Sequence, residues 1–129
     1  MQDYRKLKVY GKAYALALAV YESTRQFPRE ELYGLTSQVR RAAVSIAANI
    51  AEGAGRSGGG DFSRFLYIAM GSACELECEL ALARDLRMLP LNQHEGLAAR
   101  VSELKRMLGA LVDRVESART VNRKPSTVN

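Results

Sequence analysis

The residues best placed to do chemistry are Gln38, Arg41, Ser45, Asn49 and Glu52, which recur at steps of three and four and so share one side of a helix. A hydroxyl, an amide and a carboxylate in one row are the raw material of nucleophilic or acid–base catalysis. A serine nucleophile needs an activating base beside it, and the single histidine, His94, belongs to a different segment. Burial is the better account. Ser45 and Asn49 are expected to hydrogen-bond across helices and fix the register of an assembly. Glu52 then needs a cation, with Arg40, Arg41, Arg56 and Arg64 as candidates. A hydrolase built on Glu52 is the weakest reading, and no catalytic residue is assigned.

Other constellations weaken under the same test. Gly53, Gly55 and Gly58 spell G-x-G-x-x-G, but a dinucleotide site needs a strand before the motif and a helix after it. Here a helix precedes it, so the glycines read as a connection between helices and no cofactor is expected. Cys74 and Cys78 lie one turn apart on one face, and two thiols alone cannot close a zinc site. They read as packing cysteines, the lesser alternative being a metal shared across a subunit interface. His94 reads as a solvent-facing helix residue, and no metal is expected. Tyr10, Tyr14 and Tyr21 suggest base stacking, but a tyrosine row at helical spacing reads first as core or interface.

The elements that position these residues are helices, since no segment alternates as a strand does. A first helix spans about Asp3 to Thr24, with Leu7, Tyr10, Tyr14, Leu18 and Tyr21 on one side. After a turn at Pro28, a second starts near Leu35 or Thr36 and runs to Gly53. It has almost no solvated face: ten residues from Ala42 to Ala51 carry no charge, about 15 Å of helix. Val39, Ala43, Ile46 and Ile50 form one apolar row, and Val44, Ala48 and Ala51 another. A short chain with such a helix is expected to cover it with a neighbouring subunit as well as with its own bundle. A third helix is predicted from an N-cap at Asp61 to about Arg87, burying Phe62, Phe65, Ala69, Leu76, Leu80, Ala83 and Leu86. The fourth carries a seam of fours and threes at Leu97, Val101, Leu104, Leu108, Leu111, Val115 and Ala118, opened by an Asn92–Glu95 capping box. Pro90 to Asn92 should form the turn before it. Short connections make this an all-α, antiparallel up-down-up-down four-helix bundle.

The 129 residues fit one domain over 1–121, with a polar, disordered tail over 122–129. No apolar run reaches a membrane span. The MQDYRKLK start lacks the apolar core of a secretion signal, so a cytoplasmic location is expected. The net charge is +5, with 14 arginines among 19 basic residues. In an alternating bundle, residues 1–12, 50–66 and 113–129 share one end and carry that whole excess. Such polarity attracts phosphate backbones in a salt-sensitive way.

The motifs Tyr33-Gly34-Leu35, Arg40-Arg41-Ala42 and S-I-x-x-N-I-A-E-G over Ser45 to Gly53, with Arg56, Arg64-Phe65-Leu66, Gly71-Ser72 and Glu75, resemble the bacterial four-helix-bundle family. Its members include proteins encoded in intervening sequences of 23S ribosomal RNA genes. The resemblance runs from about Leu7 to Leu111. It extends more distantly to the accessory variability determinant of diversity-generating retroelements. Tyr10 departs from it, where many members carry tryptophan. The resemblance implies a homopentameric ring and no enzymatic activity. For the retroelement relatives it implies a basic surface that contacts RNA and a reverse transcriptase.

The expected function is a non-enzymatic oligomeric scaffold that binds nucleic acid, as structured RNA, through its basic end. Arg5, Lys6, Lys8, Arg56, Arg119, Arg123 and Lys124 are the expected phosphate contacts. The alternative is a protein–protein interaction module with no nucleic-acid role.

Overall fold

A computed structural model describes residues 3–56 and 58–123. Four helices follow in order: α1 (Lys8–Thr24), α2 (Leu35–Ala54), α3 (Gly59–Asp85) and α4 (Leu91–Arg123). Short 3-10 turns at Tyr4–Lys6 and Arg29–Glu31 precede α1 and α2. Consecutive helices pack side by side and α4 closes against α1, while among the described residues no Cα atoms of the diagonal pairs α1–α3 and α2–α4 come within 8 Å. The result is an antiparallel four-helix bundle around one apolar core.

Local chemistry sets the ends, and several differ from expectation. The first helix begins late because Asp3 accepts from the backbone N–H of Arg5 at 3.1 Å and Leu7 is extended, with ψ 127°. α1 stops near Pro28, and Thr24 turns its hydroxyl back onto the carbonyl of Val20 at 2.8 Å. Glu31 Oε1 accepts from the N–H of Leu35 at 3.1 Å, satisfying a free donor at the start of α2. α3 starts at Gly59, so Asp61 sits inside its first turn and is not the N-cap. There it still favours the positive end of the helix dipole. α4 starts directly after Pro90, which places Asn92 inside the helix and removes the expected capping box. The α3–α4 turn therefore lies earlier, over Leu86 to Pro90. Arg87 takes φ 64°, Met88 N–H donates to Ala83 O at 2.9 Å, and Arg87 N–H donates to Arg84 O at 3.0 Å. That is a Schellman cap with arginine where glycine is usual. α4 runs past residue 121 to Arg123, and residues 124–129 of the expected tail lie outside the described residues.

The core corrects two rows. α1 buries Val9, Ala13, Leu16 and Val20; of the expected row Leu7 and Tyr10 pack half-buried against the core, while Tyr14, Leu18 and Tyr21 are exposed. α3 buries Leu66 and Ala73 alongside most of the expected row, while Phe65 is half-buried and Leu86 is exposed. The α4 seam is buried from Leu97 to Leu111, with Val112 added. Val115 is half-buried and Ala118 exposed, because α4 outreaches its partners. Gly53 is buried in the contact between α2 and α3: a Cβ there would lie 2.7 Å from the Cβ of Phe65. Among the described residues, no helix is long and apolar enough to cross a membrane.

Candidate functional site

The row Gln38, Arg41, Ser45, Asn49 and Glu52 is held together by α2 but is not buried as a unit. Gln38, Arg41 and Glu52 are exposed, and Ser45 and Asn49 are half-buried. Ser45 makes the expected cross-helix bond, its Oγ 2.8 Å from Ser72 Oγ on α3. Asn49 does not cross. Its Nδ2 donates to Ser45 O at 2.8 Å and Ser45 Oγ at 3.0 Å within its own helix, because the next turn offers the nearest acceptor. Of the four candidate cations for Glu52, Arg56 takes it at 2.6 Å. Arg40 instead donates to Thr24 Oγ1 at 2.8 Å and stacks 4.6 Å over Tyr21. Arg64 leans on Asp61 and Phe65.

Beside this row the surface is apolar. Tyr14, Leu18, Tyr21 and Val44 are between 44% and 61% exposed. With Tyr10, Ala17, Ala47, Ala48 and Ala51 they line a groove of about 380 Å³ between α1 and α2. Ala48 sits exposed in it. In the single chain, then, α2 does have an open face, made of its second apolar row and the tyrosine row of α1. A second hollow of about 450 Å³ adjoins the first and is lined by Tyr21, Gln38, Arg41, Ala42, Val44, Ser45 and Glu75.

Beneath its α3 edge lies a residue that sequence reasoning missed. Glu79 is buried, and no partner reaches its Oε1. Burial, then the charge and hydrogen bonding of Glu75, push it up to about 7, with Arg41 acting in the opposite direction. The signal was present: Glu79 lies three residues after buried Leu76 and four before buried Ala83, a spacing that turns it inward.

The basic end is less free than its charge suggests. Alternation brings the start of α1, the end of α2, the start of α3 and the end of α4 together, but their carboxylates are used locally. Arg5 pairs with Asp3 at 3.0 Å, Arg56 with Glu52, and Arg119 with Glu116 at 2.9 Å. Arg119 also lies along Gly59 and Gly60, where a Cβ on Gly59 would come within 2.7 Å of its Cγ. Among the described residues Lys6, Lys8 and Arg114 make no ion pair, and Lys8 and Arg114 flank one hollow. Arg114 was not among the expected contacts. Arg123 is the last residue of α4, and Lys124 lies outside the described residues.

Cys74 and Cys78 are exposed free thiols on α3 and do not pack into the core. His94 is half-buried near Asp85, where its positive form helps hold that carboxyl below its usual value, after the larger effect of Arg84. Among the described residues no three His, Cys, Asp or Glu side chains gather in a metal-holding group.

The bundle and its α2 motif can be set beside known proteins. A model described as 23S rRNA-intervening sequence protein matches residues 5–110. The chain belongs to this family. The crystal structure of a family protein from Bacteroides thetaiotaomicron, described as a protein of unknown function from the S23 ribosomal protein family, superposes with a TM-score of 0.76 at 25% identity. The match covers 81% of this chain and 97% of that one. No curated protein matches the chain. Family and geometry together describe an all-α four-helix bundle.

Proposed function

We propose that this family member is the subunit of a homo-oligomer, a pentameric ring by the family resemblance, that joins through its α1–α2 face and turns its basic end to structured RNA. The observation that carries this reading is the open strip of Tyr14, Leu18, Tyr21 and Val44, with Ala48 between them. Covering apolar surface is favourable by about 25 cal/mol per Å², and small residues such as Ala48 let a second helix come close. RNA is favoured by the family's description and by Lys6, Lys8 and Arg114, cations free to meet phosphate. A parallel ring would repeat that charge on one face.

The pairing of Arg5, Arg56 and Arg119 with carboxylates supports a second reading, in which the ring contacts a protein and RNA plays no part. Titration of a structured RNA and a matched DNA duplex at two salt concentrations separates the two. The proposal expects salt-sensitive RNA binding that weakens in a Lys6→Ala, Lys8→Ala, Arg114→Ala variant, with the salt slope falling by about 0.7–0.9 for each phosphate no longer neutralised. No binding at low salt, or binding unchanged in the variant, would turn the proposal toward the protein partner.

A further inference from the structure

One acid, Glu75, borders the hollow beside the apolar strip, and a second, Glu79, is buried one turn along α3. Glu79 is 7% exposed, with its Oε1 unpartnered. One turn earlier Glu75 borders the hollow of about 450 Å³. Among the described residues neither carboxylate belongs to an ion pair. Withdrawing a carboxylate from water is costly unless a cation or several donors replace the solvent. A leucine would fill this inward position of α3 without that cost.

The groups around the pair leave it without an ion-pair partner among the described residues. From its own helix Glu79 faces Glu75, and from α2 it feels Arg41, which is exposed and makes no ion pair. Arg40, also on α2, is held by Thr24 and by the ring of Tyr21, the α1 residue that borders the hollow. On α4, Lys105 is taken by Glu77 at 3.0 Å. Tyr21 and Val44 line both the hollow and the apolar groove, so whatever covers the strip also reaches Glu75, the outer member of the pair.

We infer that a cationic side chain of a second copy of this chain docks on the Glu75–Glu79 pair when the α1–α2 face is covered. This rests on the self-assembly reading above and adds to it a specific polar contact. The chain carries what the pair lacks: it has a net charge of +5, and Arg41, at the rim of the hollow itself, has no carboxylate. A surface that leaves both unpaired acids and an unpaired arginine beside one apolar strip is complementary to copies of itself.

The sign of the pH dependence follows. In the separate subunit Glu79 titrates at about 7, so near neutrality the pair holds a proton part of the time. A docked cation favours the ionised pair, so docking expels that proton and association strengthens as pH rises. An interface that buried the pair without a cation would favour the protonated form, and association would strengthen as pH falls.

The test is a light-scattering dilution series at pH 6 and pH 8, at constant ionic strength, on the wild type and on Glu79→Gln. Circular dichroism confirms that each remains helical. For one proton released from a group titrating near 7, the dissociation constant per interface should fall about tenfold between the two pH values. Glu79→Gln should lose that dependence. Wild-type assembly with a flat or inverse dependence, or a full dependence retained in Glu79→Gln, overturns the docked cation and leaves self-assembly standing. A monomer at every pH and concentration overturns the self-assembly reading itself and the docked cation with it.

Discussion

Along α4, Leu97, Val101, Leu104 and Leu108 are covered by the bundle, and two of the charges outside them pair across helices, Lys105 with Glu77 at 3.0 Å and Glu103 with Lys12 at 3.2 Å. Along α1 and α2 a second row of apolar residues at the same helical spacing stands in water, flanked by Arg41 and Glu75, which among the described residues have no ion pair. Both regions satisfy the periodicity of an apolar helix face. What separates them is the outer layer. Over the α4 seam two charged residues tie the helix to its neighbours, whereas along α1 and α2 exposed apolar side chains and unpaired charges of both signs lie together. The first is the outside of a finished bundle, and the second has the makings of an interface.

Substitutions probe that contrast from both sides. The largest effect belongs to the finished side: Leu104→Ala should cost about 2–5 kcal/mol in urea unfolding, as removal of a buried leucine does. A cost under about 1 kcal/mol would mean that the α4 seam is not the packed core described here. Gly53→Ala comes next, because its Cβ would lie 2.7 Å from Phe65 Cβ and 3.1 Å from Phe62 Cδ1. Overpacking of that kind costs about 1–3 kcal/mol, and an unchanged melting temperature would place α2 and α3 farther apart. The smallest effect is a gain. Arg87→Gly relieves a left-handed backbone in the α3 cap and should stabilise the chain by about 1 kcal/mol.

The finished side was the legible one. The α4 seam is uninterrupted by charge, so its spacing alone fixes the buried face, and the four-helix bundle follows from short connections. α1 was harder because it carries two apolar rows. Leu7, Tyr10, Tyr14, Leu18 and Tyr21 hold the larger residues, but Val9, Ala13, Leu16 and Val20 face the core. Periodicity finds both rows and cannot rank them, since the choice depends on which face meets α2 and α4. The caps failed for local reasons: Pro90 starts α4 ahead of Asn92, and Arg87 adopts a conformation that its residue type does not announce. In the polar row, the types of Ser45, Asn49 and Glu52 were legible, while their partners depended on Ser72 and Arg56 being nearest. Glu79 escaped notice because a glutamate among Glu75 and Glu77 looks like a solvated run until the inward turn of the helix is followed.

Everything proposed for the open side depends on its being covered by a second copy. Light scattering on the wild type and on Ala48→Glu measures that most directly, because Ala48 is exposed in the single chain and a glutamate there leaves the bundle's core untouched. Self-assembly through this face requires a wild type at a multiple of the 14.2 kDa subunit mass and an Ala48→Glu variant that is helical and runs at the subunit mass. A wild type at the subunit mass at every concentration, or the same assembled mass for both proteins, would rule it out.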